Sequence, residues 1–404
     1  MPRQALPATD PDGNRYPPAL TSRRLRIAMI GQKGLPATFG GIEHHVENIG
    51  RRLADRGHDV TVYCRASYAP LPGATYLGMR ASSAPTVGTK HLDAIVHSAT
   101  STMKAMAAGV DVVHYHGIGP AFVAPIPRMF SSAKVVLTVH GLDHQRAKWN
   151  PAAKALLGTA HWMSGRVPDR LVVVSEELGR HYREEFGKDA AYICNGVTTS
   201  GSAGPDAVRR FGLEPGRYAL FVGRLVPEKR PDLLIRAFRR IDGDLRLAVV
   251  GDSSFSDDYS KALRALAAPD PRIVFTGFAY GDTLGALYEQ ARLFVQPSAL
   301  EGLPLTLLEA VSHNAPVLVS DLPAHLEVIG GGSARHRIVP VDDEEALAEE
   351  LRRMLTDSAP LDHLSRAVRA SVIERYSWDR AVEELETVYL DALTGAAGAA
   401  PRAA

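Results

Sequence analysis

The sequence predicts an α/β protein made of two Rossmann-like, doubly wound domains in tandem. Three observations predict it. Short apolar runs alternate with helical patterns from Leu25 to about Ile193. The small, polar stretch TTSGSAGPDA, starting at Thr198, then interrupts the pattern as a linker would. Beyond it the alternation restarts and runs to the last helical segment. A chain of 404 residues, 45% of them hydrophobic, has the length for two cores of ordinary size.

In order, the run LRIAMIG ends at Gly31, a Gly-rich loop follows, and a helical pattern covers about Ile42 to Arg56. Gly57-His58-Asp59 breaks that pattern and VTVYC is the next strand, completing a βαβ unit whose crossover is right-handed. Val110 to Tyr115, VVLTVH ending at His140, LVVVS ending at Ser175, and Tyr192-Ile193 are further strands. Apolar strands separated by helices predict a parallel sheet covered on both faces. In the second half YALFVG, LRLAVVG, IVFTG, LFVQPS, PVLVS and RIVP are strands, a helix starts near Pro231, and the last helix covers about Trp378 to Leu393. The division is a disordered tail over 1–24, a first domain over 25–198, a linker over 199–216, a second domain over 217–376, a closing helix over 377–395 and a loose tail over 396–404. Two such domains face each other across a cleft, and open α/β sheets bind ligands beyond the carboxyl ends of their strands. That places the loops after Ile30, His140, Val222, Val250 and Ser298 near one site.

Composition narrows the function. Lys plus Arg number 46 against 45 Asp plus Glu, so no charge excess points to nucleic acid. The two cysteines, Cys64 and Cys194, sit among apolar residues and read as free thiols rather than a disulfide or zinc framework. This fits a reducing, cytoplasmic compartment. The Pro-rich, polar first two dozen residues lack the apolar segment of a secretory signal, and Val112 to Pro127 is too short and too broken to span a bilayer. Arg51, Arg52 and Arg56 on the first helix form a solvated face or, in a membrane-peripheral protein, a face toward anionic lipid.

The most informative segment is Glu301-Gly302-Leu303-Pro304-Leu305-Thr306-Leu307-Leu308-Glu309. A strand ends in Gln296-Pro297-Ser298, and a helix starts near Pro304 or Leu305. The amides of its first turn and the helix dipole form an anion site. Were the whole span helical, the two carboxylates would lie about 12 Å apart along the axis, comparable to a diphosphate with a sugar on one side and a ribose on the other. The consistent picture is Glu301 on a sugar, the first-turn amides on phosphate, with Gly302, Leu303, Leu305 and Thr306 around the donor, and Glu309 on a ribose. The plain alternative is a surface and a capping Glu. A hydrolase pair would sit about 5–10 Å apart across one bond. The second constellation is Gly223-Arg224 with Lys229-Arg230-Pro231: the Arg fork and the Lys point charge could neutralise a diphosphate and stabilise it as a leaving group.

Together these segments resemble the GT-B retaining glycosyltransferases of family four, in which G-R-L-x-x-x-K and E-x-seven-E occur in this order and at this separation. The resemblance runs from about Leu25 to Leu393. Gly57-His58-Asp59-Val60, Val174-Ser175, Asn195-Gly196 and Tyr376-Ser377-Trp378 agree with it. It implies Arg224 and Lys229 on the donor diphosphate, Glu301 on the sugar hydroxyls, Glu309 on the ribose, and a base held through backbone near Gly277 and Phe278. It also implies that the last helix crosses back to the first domain. Gly40-Gly41 at a helix start let backbone approach a phosphate or an acceptor, with Glu43 and His44 on the acceptor side. The opening GQKGLPATFGGIE resembles a bacterial subgroup that includes rhamnosyltransferases of surface-polysaccharide assembly. It is not a dinucleotide fingerprint, because Gly31 and Gly34 lack the spacing and Arg65 follows the second strand where an acid is usual.

The resemblance puts His140 near the donor sugar, hydrogen-bonding a hydroxyl; the plain alternative is a histidine satisfying a strand-end backbone group. His114 and His116 share one face of a strand. With His140 they raise a metal site, but no carboxylate pair supports one and the family does not generally need a metal. His116 is a candidate acceptor contact, and His144, Arg146 and Trp149 follow His140 on the acceptor side. The expected activity is transfer of a hexose or deoxyhexose, with retention, from a nucleoside diphosphate sugar to a hydroxyl of a sugar, lipid-linked or small-molecule acceptor, with no cofactor beyond that co-substrate. The rivals are a GT-B sugar-nucleotide epimerase and a partner subunit that binds nucleotide sugar without turnover.

Overall fold

The computed structural model describes residues 23–37, 40–65, 68, 75–86, 93–142, 151–197, 201–252, 257–330, 337–356 and 362–395. The chain divides into two units, one of Met1–Gly196 with Trp378–Ala404 and one of Val197–Ser377. In the first unit the strands are β1 (Arg26–Ile30), β2 (Asp59–Arg65), β3 (Thr75–Tyr76), β4 (Met79–Ala84), β5 (Val112–His116), β6 (Lys134–Val139), β7 (Arg170–Val173) and β8 (Ala191–Tyr192). Helices α1 (Gly41–Asp55), α2 (Asp93–Ala107), α3 (Pro125–Phe130), α4 (Pro151–Ser164) and α5 (Glu176–Phe186) connect them. The sheet order is β3-β4-β2-β1-β5-β6-β7-β8. Burial of Ile27, Met29, Val112 and Val136 at its centre explains why these strands read as continuous apolar runs.

The sheet is not wholly parallel, which corrects the sequence expectation. β4 pairs with β2 in parallel, but β3 pairs with β4 antiparallel. The turn between them is Leu77-Gly78, both at positive φ (46° and 76°), the backbone a tight hairpin requires. Arg80, Ser82 and Ser83 interrupt the apolar pattern of β4, and only Met79, Ala81 and Ala84 face inward.

The second unit has strands β9 (Tyr218–Val222), β10 (Arg246–Val250), β11 (Ile273–Gly277), β12 (Leu293–Gln296), β13 (Val317–Ser320) and β14 (Ile338–Val339). Its helices are α6 (Asp206–Arg209), α7 (Pro231–Arg239), α8 (Asp257–Ala267), α9 (Gly281–Glu289), α10 (Leu305–Ser312), α11 (Pro323–Ile329), α12 (Glu344–Thr356) and α13 (Asp362–Arg375). The order is β11-β10-β9-β12-β13-β14, parallel throughout. The chain therefore reverses its direction of winding between β9 and β12, and this switch point is where open α/β sheets bind ligands. Gly251, after β10, has φ +127° and a Cβ there would lie 2.0 Å from the Gly223 carbonyl oxygen, so the loops after β9 and β10 touch.

The stretch read as a linker belongs to this unit. α6 lies within it, Val208 and Leu213 are buried, and Ala203 N–H donates to the Asp282 carbonyl at 3.0 Å. Two inward apolar residues inside a polar composition fold the segment back. The chain passes between the units at Gly196/Val197 and at Ser377/Trp378, and Val197 N–H donates to the Tyr376 carbonyl at 3.0 Å.

Helix α14 (Trp378–Thr394) packs with the first unit's core through Trp378, Val382, Leu385 and Tyr389. Arg52 Nε donates to Asp379 Oδ1 at 2.9 Å, and Arg56 Nη2 to Glu386 Oε2 at 2.7 Å. His58 Nδ1 accepts the Leu25 N–H, so its Nε2–H donates to Glu386 Oε1 at 2.8 Å. Arg52 and Arg56 thus form neither a lipid-facing nor a solvated face: the last helix covers both. Among the described residues no helix is long and apolar enough to cross a membrane. Arg23, assigned by sequence to the tail, donates to Asp111 at 3.0 Å. Residues 1–22 and 396–404 lie outside the described residues.

Candidate active site

In the second unit the loops after β9 and β12 flank the switch point, and each supplies one partner of an ion pair. Pro227 starts a single helical turn that ends at Lys229, and Ala299 N–H donates to the Glu228 carbonyl at 2.9 Å, fastening one loop to the other. Lys229 Nζ then lies 2.5 Å from Glu301 Oε1. The same oxygen accepts from Gln296 Nε2 and Ser298 Oγ, each at 2.7 Å. Gln296 and Ser298 are buried, and the Glu301 side chain is 7% exposed. Burial alone would raise the Glu301 pKa. Lys229, His325 and the Lys229 and Ser298 hydrogen bonds together outweigh it and hold the carboxyl below its usual range. Glu301 is therefore a preformed carboxylate at neutral pH.

Helix α10 starts at Leu305, after Pro304, with no side-chain cap on its first amides. Thr306 Oγ1 donates to Gln296 Oε1 at 3.4 Å, tying this helix to the Glu301 network. Glu309, one turn into α10, accepts from the Tyr288 hydroxyl at 2.9 Å. Its pKa is raised to about 7, because burial outweighs the Tyr288 hydrogen bond. Ser320 Oγ, at the end of β13, donates to the Ser298 carbonyl at 2.5 Å, and His325 Nδ1–H donates to the Ser320 carbonyl at 2.9 Å. Arg224 lies half-buried in the loop after β9. Gly277 ends β11 at φ +70° and its carbonyl accepts from Gly251 N–H; beyond it the exposed rings of Phe278 and Tyr280 stack at 6.0 Å.

The first unit gathers histidines at its own switch point, between β1 and β5. His116 ends β5, His140 follows β6, and His45 lies on α1. Their ring nitrogens come within 4.8 Å of one another. His45 Nδ1–H donates to Asn195 Oδ1 at 2.6 Å, which leaves Nε2 as a buried lone pair without a hydrogen-bond partner. His116 Nδ1 lies 3.4 Å from His140 Nε2. His114 sits one step deeper, between the Tyr389 hydroxyl and Thr138 Oγ1 at 2.7 Å each. Burial, then the neighbouring imidazoles, keeps His116 and His140 well below the usual histidine range; burial brings His45 to about 4 and His114 to about 3. All four are neutral at pH 7, so they offer hydrogen bonds rather than charge.

Within the second unit the structure joins Lys229, Glu301 and Thr306 in one network, with Gly302, Leu303 and Leu305 in the same loop and helix start. In the first unit Glu43 is buried near the start of α1. Its Oε1 accepts the Lys33 N–H at 3.1 Å, and Glu47 accepts that of Ala37 at 2.8 Å, so both brace the loop before α1. Gly41 is exposed at the start of α1 and His44 is half-buried. His144, with Arg146 and Trp149, lies outside the described residues. Sequence reasoning missed His45, Gln296, Ser298, Tyr288 and His325. The His45–Asn195 bond spans 150 positions, a partnership no local pattern shows. Gln296 and Ser298 had a signal, since polar residues ending an apolar strand need partners.

Comparison with known proteins agrees with this architecture. Residues 208–371 match the family model described as Glycosyl transferases group 1, and residues 39–200 match Glycosyltransferase Family 4. The Bacillus subtilis protein named "Putative glycosyltransferase YtcC" is 31% identical over 311 residues, 71% of this chain and 74% of that protein. The alpha-maltose-1-phosphate synthase of Mycobacterium tuberculosis is 27% identical over 394 residues, covering 90% of this chain and 99% of the relative. Among solved structures, sucrose-phosphate synthase from Thermosynechococcus elongatus superposes with a TM-score of 0.77 at 21% identity, covering 92% of this chain and all of that one. Anabaena HepE, solved with UDP and glucose, gives 0.73 at 17% identity, covering 91% and 100%. The fold is GT-B, and the chain belongs to the family-four glycosyltransferases. It is an enzyme of that class.

Proposed function

We propose that the enzyme transfers a hexose or deoxyhexose from a nucleoside diphosphate sugar to an acceptor hydroxyl, with retention of anomeric configuration. The observation that carries this is the Lys229–Glu301 couple at the second unit's switch point. Lys229, Gln296 and Ser298 all bind Oε1 of Glu301, so Oε2 is the atom that accepts sugar hydroxyls. Lys229 and Arg224, with the amides at Leu305 and Thr306, hold the diphosphate and stabilise its charge as it leaves. Glu309 accepts from the ribose hydroxyls, and the backbone at Gly277 and Phe278 meets the base. In the first unit the proposed roles follow the resemblance: His140 hydrogen-bonds a sugar hydroxyl, His116 contacts the acceptor, and Gly41 allows close backbone approach. Retention is what the family resemblance implies, through a same-face displacement in which the leaving phosphate oxygen takes the acceptor proton. Assignment to bacterial polysaccharide or glycoconjugate assembly rests on the resemblance of residues 31–43.

A thermal-shift panel of UDP-, GDP-, dTDP- and ADP-sugars tests the reading. One base series should raise the melting temperature, by mass action on the folded state. Product analysis with the matching sugar nucleotide should then yield glycosylated acceptor and no epimer. No shift with any nucleotide, or epimerised donor without acceptor, would count against the proposal.

Glu309 gives the site a pH signature. A carboxylate accepts two ribose hydroxyls and a protonated acid does so poorly, so donor KM should fall as pH rises through about 7. The diphosphate of a sugar nucleotide has no proton to lose in that range. Stability runs the other way. The native state keeps a proton that the unfolded chain releases above the ordinary 4.5, so stability falls as pH rises from there through about 7. Both trends should flatten in Glu309→Gln, measured by donor KM and melting temperature against pH.

A further inference from the structure

A second histidine cluster lies on α4 and α5 and shares no side chain with the candidate active site. His161 Nε2 lies 3.1 Å from Glu185 Oε2, His181 Nε2 lies 2.9 Å from the same oxygen, and the two nitrogens are 3.1 Å apart. His181 and Glu185 stand one turn apart on α5 and so share a face. His161 comes from α4 and is buried, its ring edge-on to Phe186 at 5.1 Å and to Tyr182 at 5.4 Å.

An inventory of protons shows what the triangle needs. Ser164 Oγ donates its only proton to the His161 carbonyl at 2.6 Å. The 2.6 Å contact between Ser164 Oγ and the Tyr182 hydroxyl therefore uses the tyrosine's proton. Tyr182 can then only accept from His161 Nδ1, 3.4 Å away. Neutral His161 is thus the Nδ1–H tautomer, and its Nε2 lone pair faces a carboxylate oxygen. An imidazole nitrogen carries one in-plane lone pair or one proton, yet two sides of the triangle meet at each nitrogen. A single cation against the triangle satisfies all three atoms. Tetrahedral zinc with bonds of about 2.0–2.1 Å sets its ligand atoms about 3.3 Å apart, within a few tenths of an ångström of these sides.

We propose that His161, His181 and Glu185 bind one divalent transition-metal ion of the zinc class, with the remaining position open to solvent. Two imidazoles and one carboxylate suit zinc, nickel or copper, whereas calcium and magnesium prefer oxygen ligands throughout. The Tyr182–Ser164 chain orients His161 through its other nitrogen, as groups behind metal-bound histidines do. Glu185 is 47% exposed, which gives an ion a route from solvent. The ion would fasten α4 to α5. This departs from the expectation of no metal drawn from the sequence, and it is independent of the transfer reaction.

The test uses the full-length enzyme, stripped with a chelator and titrated with Co²⁺, whose visible bands report ligand type and coordination number, followed by competition with Zn²⁺. The expected result is a band that saturates at one equivalent and is displaced by Zn²⁺, with a Zn²⁺-dependent rise in melting temperature. His181→Ala and Glu185→Gln should each weaken Co²⁺ binding by more than about 100-fold, the upper end of the loss seen when only a supporting group is removed. Glycosyl transfer and the circular dichroism spectrum should be unchanged in both. The absence of a band at one equivalent would overturn the proposal. So would a band that both variants keep, which assigns the ion to His45, His116 and His140. A titration showing His161 charged at neutral pH with Zn²⁺ present would mean that a proton holds the triangle together, and would equally overturn it.

Discussion

Glu301→Gln is expected to lower kcat/KM for transfer by about 10³-fold, equivalent to about 4 kcal/mol of transition-state stabilisation. The substitution keeps the shape of the side chain, and the three donors around Oε1 still meet an oxygen. It removes the charge that Lys229 complements and the strong acceptor for sugar hydroxyls. A site built to hydrogen-bond a hydroxyl loses much when one partner is wrong, because the other is left unpaired. Lys229→Ala should have a comparable effect on kcat and should also lower stability, since Glu301 would remain sheltered without its cation. Lys229→Arg should not restore activity, because a planar fork does not replace a compact ammonium between a carboxylate and a phosphate. Initial rates against donor concentration, with circular dichroism confirming the fold, decide the matter. Normal turnover by both Glu301→Gln and Lys229→Ala would show that the site is wrongly assigned.

Glu386→Ala is expected to destabilise the first unit by about 3–5 kcal/mol, the cost of stranding a buried charge. Glu386 is fully buried and its two oxygens divide between Arg56 and His58, themselves 3% and 1% exposed. Removing the carboxylate takes away the acceptor that Glu386 offers to the Arg56 guanidinium and to the His58 N–H. Glu386→Gln, which still accepts from His58, should cost less. Trp149, Trp162 and Trp378 are the chain's three tryptophans and all fall in the first unit, so urea unfolding followed by their fluorescence reads that unit selectively. A shift below about 1 kcal/mol for the alanine variant would mean that water replaces the lost carboxylate.

The same residues show how far the sequence could be read. Strands such as RIAMI and YALFV are legible because their burial on both faces demands continuous apolar runs. Lys229 and Glu301 are legible because each occupies a loop directly after such a strand. β4 escaped because only Met79, Ala81 and Ala84 are buried, and Arg80, Ser82 and Ser83 fill the other positions without an apolar signature. Arg52 and Arg56 misled for a different reason. A helix carrying several arginines looks solvated until the partner helix more than 300 positions away is in place, and Asp379 and Glu386 carry no local sign of that pairing. In the sequence Gly57-His58-Asp59 reads as a helix break and as part of the family resemblance. The fold gives it a cause, since His58 links the backbone of Leu25 to Glu386.

Because α14 belongs to the first unit, the second is an insertion within it, entered after Gly196 and left at Ser377. During synthesis all of β1 to β8 emerges before α14, so Val46, Ile49 and Leu53 lack their α14 core partners Val382, Leu385 and Tyr389 until that helix has left the ribosome. The inserted unit has its whole sheet and helices by then and can fold as a unit while its host waits. The nascent first half must therefore wait with part of its core and the Arg56 and His58 side chains unpaired with α14, and completion of the host is a late step that needs the chain through α14.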